Sequence, residues 1–98
     1  MARYHLNWKL DPSRVPVDPK ERSAAWGLMM GMIEKDKEKG VLKDWGAYTS
    51  EGRGFCILDG TQLEMMQMTE QYTPYVQFET NPVSSIGEIK ELLKLMAG

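Results

Sequence analysis

Three segments of the chain carry the signature of a helix start, and they divide it into alternating helices and strands. In this signature a polar side chain caps a free backbone N–H, and an acidic residue three positions later reaches back. It occurs at residues 18–21, 61–64 and 85–88. We expect the first helix to run to about Lys39, before Gly40, and the second to end at Thr73, because Pro74 disfavours a helical residue before it.

The segments outside the predicted helices have the pattern of β-strands. Residues 3–10 alternate strictly, with Tyr4, Leu6, Trp8 and Leu10 on one side and polar side chains on the other. This period of two predicts a strand with one apolar face. Residues 41–49 and 54–58 are the next two predicted strands, joined by a hairpin turn, and residues 75–80 form the last.

The order of these elements predicts an α+β fold of the ferredoxin-like type. Strand, helix, strand, strand, helix and strand follow one another, which is the βαββαβ pattern of a four-stranded antiparallel sheet. We expect one domain over residues 1–98, with a core at 3–83 and an extra C-terminal helix at 85–97. The first two helices would cover one sheet face, and Gly27 and Gly31 would let the first approach it closely. The other face is predicted to meet water, a ligand or another subunit.

Composition excludes several classes of protein. Hydrophobic residues make up 42% of the 98, charged residues 27%, and the net charge is -2, which is typical of a globular domain. No basic stripe indicates nucleic-acid binding, and no apolar run approaches the ~20 residues of a membrane span. The N-terminus lacks the apolar region of a signal peptide, which predicts a cytoplasmic protein. Cys56 is the single cysteine and lies in an apolar run, which indicates a core residue.

The element order, together with two short segments, resembles the dimeric α/β-barrel superfamily. The segments are residues 4–8 (Tyr-His-Leu-Asn-Trp) and 74–83 (Pro-Tyr-Val-Gln-Phe-Glu-Thr-Asn-Pro-Val). Within that superfamily the chain is most similar to small muconolactone-isomerase-like proteins and related bacterial domains, over residues 3–83. The resemblance implies a homodimer whose sheets pair face to face, with a ligand site inside that barrel or between sheet and helices. No catalytic motif carries over, and a fold alone assigns no function.

The polar side of the first strand contains the candidate catalytic residues. His5 is the only histidine and exchanges protons near neutral pH. In the resembling topology the first and last strands are neighbours, so His5 and Glu79 would share a face and act as a proton-transfer pair. The alternative is a structural histidine, or one in a dimer interface. The candidate ligand-binding residues are Asn7, Lys9, Trp45, Tyr48, Tyr75 and Gln77.

Two functions remain open from the sequence. The first is a cofactor-free small-molecule binder or isomerase-like enzyme for an apolar or aromatic acid. The second is a non-catalytic dimeric module for ligand sensing or assembly. Eight methionines, concentrated in the first two helices, indicate ordinary core packing or a plastic apolar pocket with aromatic walls. One histidine and one cysteine predict no dedicated metal site, and residues 35–39 indicate a solvated helix end.

Overall fold

A computed structural model describes residues 2–98 and has the predicted α+β architecture with an antiparallel sheet of four strands. Its elements in chain order are β1 (Ala2–Leu10), a 3-10 turn (Pro12–Arg14), α1 (Pro19–Glu38), β2 (Leu42–Ala47), β3 (Arg53–Gly60), α2 (Gln62–Glu70), β4 (Val76–Val83) and α3 (Ile86–Ala97). The strand order is β2-β3-β1-β4. In residues 2–98, no helix combines the length and apolar character that crossing a membrane requires.

The alternation in β1 divides the sheet into a covered face and an open face. Tyr4, Leu6 and Trp8 are buried and contribute to the same core cluster as Met65 and Met68 of α2. α1 packs on this side as well, through half-buried side chains that include Trp26 and Met29. We call the other side, which carries His5, Asn7 and Lys9, the open face.

The three tryptophans of the chain pack together in the core. Trp8 stacks on Trp45 with 5.3 Å between ring centroids and meets Trp26 edge to face at 6.4 Å. The Trp8 indole N–H donates to the backbone carbonyls of Gly46 and Phe55, each at 3.2 Å. This cluster therefore joins β1, β2, β3 and α1.

The helix starts lie where the caps predict them. Thr61 and Ser85 each form the complete reciprocal capping box, with Glu64 and Glu88 respectively. Asp18 accepts from the backbone N–H of Glu21 at 3.1 Å, which supplies the first half of the device. Each cap satisfies N–H groups that have no partner within the helix.

Two details of α1 differ from the sequence expectation. A Cβ built at Gly27 or Gly31 would meet nothing within 4 Å, so neither glycine mediates a close approach to the sheet. Asp36, predicted to lie on a solvated helix end, is 4% exposed. Its carboxylate accepts a hydrogen bond from the Tyr72 hydroxyl at 2.9 Å, which explains how a charged side chain is accommodated in the core.

α3 extends away from the sheet and the other helices. None of its residues is buried, although it has a regular apolar stripe. The molecule measures 62 × 25 × 20 Å, and a helix of this length supplies ~18 Å of the long dimension. The apolar stripe predicts that this helix docks on its own subunit or on the sheet edge of a partner. It buries no residue against its own subunit, and docking on a partner stays a prediction.

Candidate functional site

The open face brings most of the predicted site residues together. Asn7 pairs across the strands with Glu79, and Lys9 pairs with Gln77. These four side chains line a depression of about 320 Å³, whose walls also include Tyr48 and Arg53. Arg53 is already paired with Glu51 at 2.9 Å, and this ion pair lies at the exposed edge of the depression.

His5 and Glu79 lie on the open face but do not form a direct pair. The neighbour of His5 on β4 is Asn81, and its neighbour on β3 is Ile57. Its imidazole instead stacks on Phe55, with 6.1 Å between centroids and 3° between planes. No hydrogen bond joins His5 to Glu79 within residues 2–98, so the chain alone does not assemble the proton-transfer pair.

Two of the predicted ligand-binding aromatic residues do not lie on the open face. Trp45 stacks on Trp8 in the core, because a register shift between Leu42 and Asp44 interrupts the alternation of β2. Tyr75 lies in the turn before β4, where its N–H donates to the Tyr72 carbonyl. Of the three aromatic residues predicted to bind a ligand, only Tyr48 therefore borders the open-face depression.

Tyr75 instead borders a second, more apolar cavity. This cavity, the α1 groove, has a volume of about 300 Å³ and lies between α1 and the segment that connects β1 to it. The loop contributes Val15 and Pro16, and the turn before β4 contributes Tyr72 and Tyr75. The remaining lining residues are Leu10, Arg14, Arg22, Ala25, Trp26, Leu28, Met29, Met32 and Gln71.

The two arginines of the α1 groove have different surroundings. Arg22 donates to the backbone carbonyls of Val17 at 3.1 Å and Pro16 at 3.5 Å, and so braces the loop. Arg14 has no side-chain hydrogen bond to residues 2–98. The pKa of Asp11 is lowered mainly by hydrogen bonds from the hydroxyl and the backbone N–H of Ser13. The positive charge of Arg14 makes a smaller contribution in the same direction. Arg14 thus has its full set of donors for a ligand, whereas Arg22 uses Nη1 on the loop and keeps its charge and its Nε and Nη2 donors.

The inner wall of the α1 groove is held by a buried polar pair. Tyr72 donates its hydroxyl hydrogen to Asp36, and the Gln71 amide approaches the other carboxylate oxygen at 3.4 Å. Burial, followed by the hydrogen bond and the charge of Asp36, raises the pKa of Tyr72 far above its usual range. Tyr72 therefore stays neutral and fixes the position of the wall against α1.

Behind this wall the core contains a space of about 30 Å³, which is room for a single water molecule. Trp26, Met29 and Tyr72 border both this space and the α1 groove. Cys56 also borders it, and burial raises the pKa of its thiol to about 12. Cys56 is 2% exposed, so the structure confirms the prediction that it is a core residue.

Only some of the residues that line the α1 groove could be predicted from the sequence. The methionines of the first two helices left open ordinary core packing or a plastic apolar pocket. Met29, Met32 and Trp26 of the first helix line the groove, but no methionine of the second helix does. The arginines were missed, because Arg14 and Arg22 lie on different segments and share no spacing rule. The available signal was one cation within the Pro12–Pro16 loop and a second near the start of α1.

No protein-family model matches the chain, and a comparison with curated proteins finds no match. Within residues 2–98, no group of three or more His, Cys, Asp or Glu side chains is arranged to hold a metal ion.

Proposed function

We propose that the protein is a homodimeric small-molecule-binding protein that takes a small apolar or aromatic acid in the α1 groove. The observation that carries this proposal is an apolar groove with an available arginine, Arg14, at its rim. Small-molecule sites are mostly apolar clefts of about 300–1,000 Å³ with a few polar groups that fix orientation. The α1 groove has a volume in this range and the same combination of a mostly apolar lining with a few polar groups.

The lining favours a flat or branched apolar body. Trp26 offers a ring surface, and Met29 and Met32 have flexible thioethers that adapt to irregular shapes and contact aromatic rings favourably. Tyr75 is 53% exposed at the rim, where its ring can cover one side of a ligand. An aromatic ring is the shape that these side chains contact over most of its area.

The charge at the rim favours a carboxylate. A guanidinium presents paired N–H donors that match the two oxygens of a carboxylate. Asp36 on the inner wall accepts a hydrogen bond from Tyr72, and Asp11 accepts one from Ser13. Both carboxylates therefore already have hydrogen-bond partners. The ligand carboxylate would therefore pair with Arg14 while its apolar part contacts Trp26.

Calorimetric titration with 3-phenylpropionate and its uncharged amide tests this proposal. We expect the acid to bind about tenfold or more tightly than the amide, because only the acid forms a charge-assisted hydrogen bond worth ~1.5–3 kcal/mol. Arg14→Gln should remove this preference and leave binding of the amide unchanged.

Arg53→Gln is the matched control, because it removes an arginine from the open-face depression and leaves the α1 groove intact. Equal affinity for acid and amide in the wild-type protein contradicts the proposal. Loss of the preference in Arg53→Gln, but not in Arg14→Gln, would place the ligand on the open face instead.

We also propose that the fold is a ferredoxin-like plait that dimerises through the open face, as a dimeric α/β barrel. The apolar side chains Phe55 and Ile57 lie at its centre and are only half-buried, and Tyr48 is 43% exposed. The Phe55 ring covers Gly46 so closely that a Cβ there would lie 2.6 Å from it. An apolar centre surrounded by polar side chains is the arrangement expected for a face that packs against a second sheet.

Light scattering measures this assembly directly. A two-fold dimer gives a particle of twice the 11.2 kDa chain mass at micromolar concentration. A particle of 11.2 kDa would contradict the homodimer. It would not contradict ligand binding in the α1 groove, which the calorimetric titration tests separately.

We propose binding, and not turnover, as the activity of the α1 groove. A general acid or base must lie within hydrogen-bond reach of the atom it serves. The candidate pair, His5 and Glu79, lies on the open face and does not line the α1 groove. An isomerase-like reaction would therefore need a second ligand position, on the open face.

A further inference from the structure

The apolar stripe of α3 is exposed along its whole length. Ile89 is 47% exposed, Leu92 50% and Leu93 56%, and the stripe continues through the still more exposed Ile86 and Met96. An exposed contiguous apolar patch on a globular protein usually marks an interaction site. A helix with such a face typically lies in an apolar groove of its partner.

We propose that α3 docks on a second copy of this chain, where its apolar stripe covers the rim of the α1 groove. This contact deepens the proposed function because it would close the proposed ligand site, but the contact itself needs no ligand. The partner helix would shield an open groove from water. Each subunit would thereby complete the binding site of the other.

The α1 groove offers an apolar rim for this helix. Leu28 is 74% exposed and Tyr75 53%, and both lie at the mouth of the groove. They are among the most exposed large apolar side chains of the sheet-and-helix body. Covering them and the α3 stripe would remove two exposed apolar surfaces from water at once.

The first half of the α3 stripe cannot reach the α1 groove of its own chain. Val83, the last residue of β4, pairs with Arg3, whereas Leu10 at the groove lies seven residues further along β1, or ~23 Å away. Only Ser84 and Ser85 connect Val83 to α3, so Ile86 stays within ~11 Å of Val83. The first half of the stripe is thus held at the opposite end of the sheet from the groove.

The charges of α3 agree with this partner. At 100° per residue, Glu88 and Glu91 lie on one side of the stripe, and Lys90 and Lys94 lie on the other. The helix can therefore turn its acidic side toward the arginines of the groove rim and keep its lysines away from them. A helix with the lysines and glutamates interspersed on both sides would lack this option.

Exchange of α3 between two copies also forms a closed assembly. If α3 of each subunit covers the groove of the other, the two contacts are identical and a two-fold axis relates them. A two-fold axis perpendicular to the strands brings the α3 end of one sheet next to the groove end of the other. A specific interface buries at least about 1,000 Å² in total, so each of the two contacts has to supply about half of this area.

A complementation experiment with two variants tests this contact. Leu92→Gln combined with Leu93→Gln removes the centre of the stripe, and Leu28→Glu puts an acid on the groove rim. All three side chains are at least half-exposed, so we expect each variant to keep the wild-type melting temperature. Light scattering should show each variant alone dissociating at about tenfold or higher concentration than the wild type.

When the two variants are mixed, each heterodimer contains one intact α3 and one intact α1 groove that can meet. Native mass spectrometry should therefore show the heterodimer in excess of both homodimers. Leu63→Gln is the matched control, because Leu63 is 63% exposed on α2, outside both the α3 stripe and the α1 groove, and it should dimerise as the wild type does.

Any one of three results would overturn the proposal. The first is a monomeric wild-type protein, and the second is a pair of variants that dimerise as tightly as the wild type. The third is a mixture without excess heterodimer, which would indicate that α3 pairs with α3. None of them depends on the ligand. Titration of the Leu92→Gln, Leu93→Gln variant with 3-phenylpropionate and its amide distinguishes the α3 contact from the ligand site. If this variant still prefers the acid, the α1 groove binds the ligand whether or not α3 docks on it.

Discussion

Gly54→Ala is expected to destabilise the protein by ~3 kcal/mol or more, which is a large part of the stability of a domain this size. Gly54 lies in β3 between Trp8 on β1 and Ala47 on β2. A Cβ at this position would overlap the Gly46 carbonyl oxygen and lie 2.7 Å from the Trp8 ring and 2.8 Å from the Ala47 Cα. Two of these three contacts are backbone atoms, so β2 itself would have to move.

The same substitution in α1 should have the opposite sign. Gly27→Ala places its Cβ in open space on a helix, where alanine is favoured over glycine by about 1 kcal/mol. Chemical denaturation of both variants measures the two changes. A Gly54→Ala protein as stable as the wild type would show that the sheet does not hold β2 this close to Trp8.

Trp8→Ala is the second change with a large expected effect, a loss of ~3–5 kcal/mol in the free energy of unfolding. Trp8 is 4% exposed and lies between Trp45 and Trp26, so its removal leaves a cavity that β2 and α1 both border. Its N–H is also the donor that both the Gly46 and the Phe55 carbonyl accept from.

Two further substitutions provide reference values for the loss of stability in Trp8→Ala. Trp8→Phe retains an aromatic ring but removes the N–H donor and part of the volume, so it should fall between the wild type and Trp8→Ala. Tyr48→Ala removes a ring that is 43% exposed and should cost under ~1 kcal/mol. Similar losses for Trp8→Ala and Tyr48→Ala would contradict the central position of the tryptophan cluster.

Local sequence signals predicted the elements that depend on neighbouring residues. The alternation in β1 placed Tyr4, Leu6 and Trp8 in the core, and all three are buried. The capping residues placed the helix starts, since a cap acts over only three positions. Both signals are complete within a few residues of sequence.

The errors lie where one extra residue or a long-range contact decides the structure. Strict alternation from Leu42 would put Trp45 on the open face, but the irregularity after Leu42 moves it to the covered face. Nothing beside Asp36 in the sequence indicates its partner, because Tyr72 is 36 residues away. The α1 groove itself was not predicted, because the packing of the loop on α1, and no spacing in the sequence, brings its arginines and apolar side chains together.

The methyl groups of Met29 and Met32 provide the most direct test of the proposed ligand site, because both line the α1 groove. In a protein labelled with ¹³C at the methionine methyls, 3-phenylpropionate should shift these two resonances through the ring current of the bound phenyl group. Met66 of α2 is 65% exposed and does not line the groove, so its resonance should stay in place. Shifts at Met66 with none at Met29 or Met32 would contradict binding of the acid in the α1 groove.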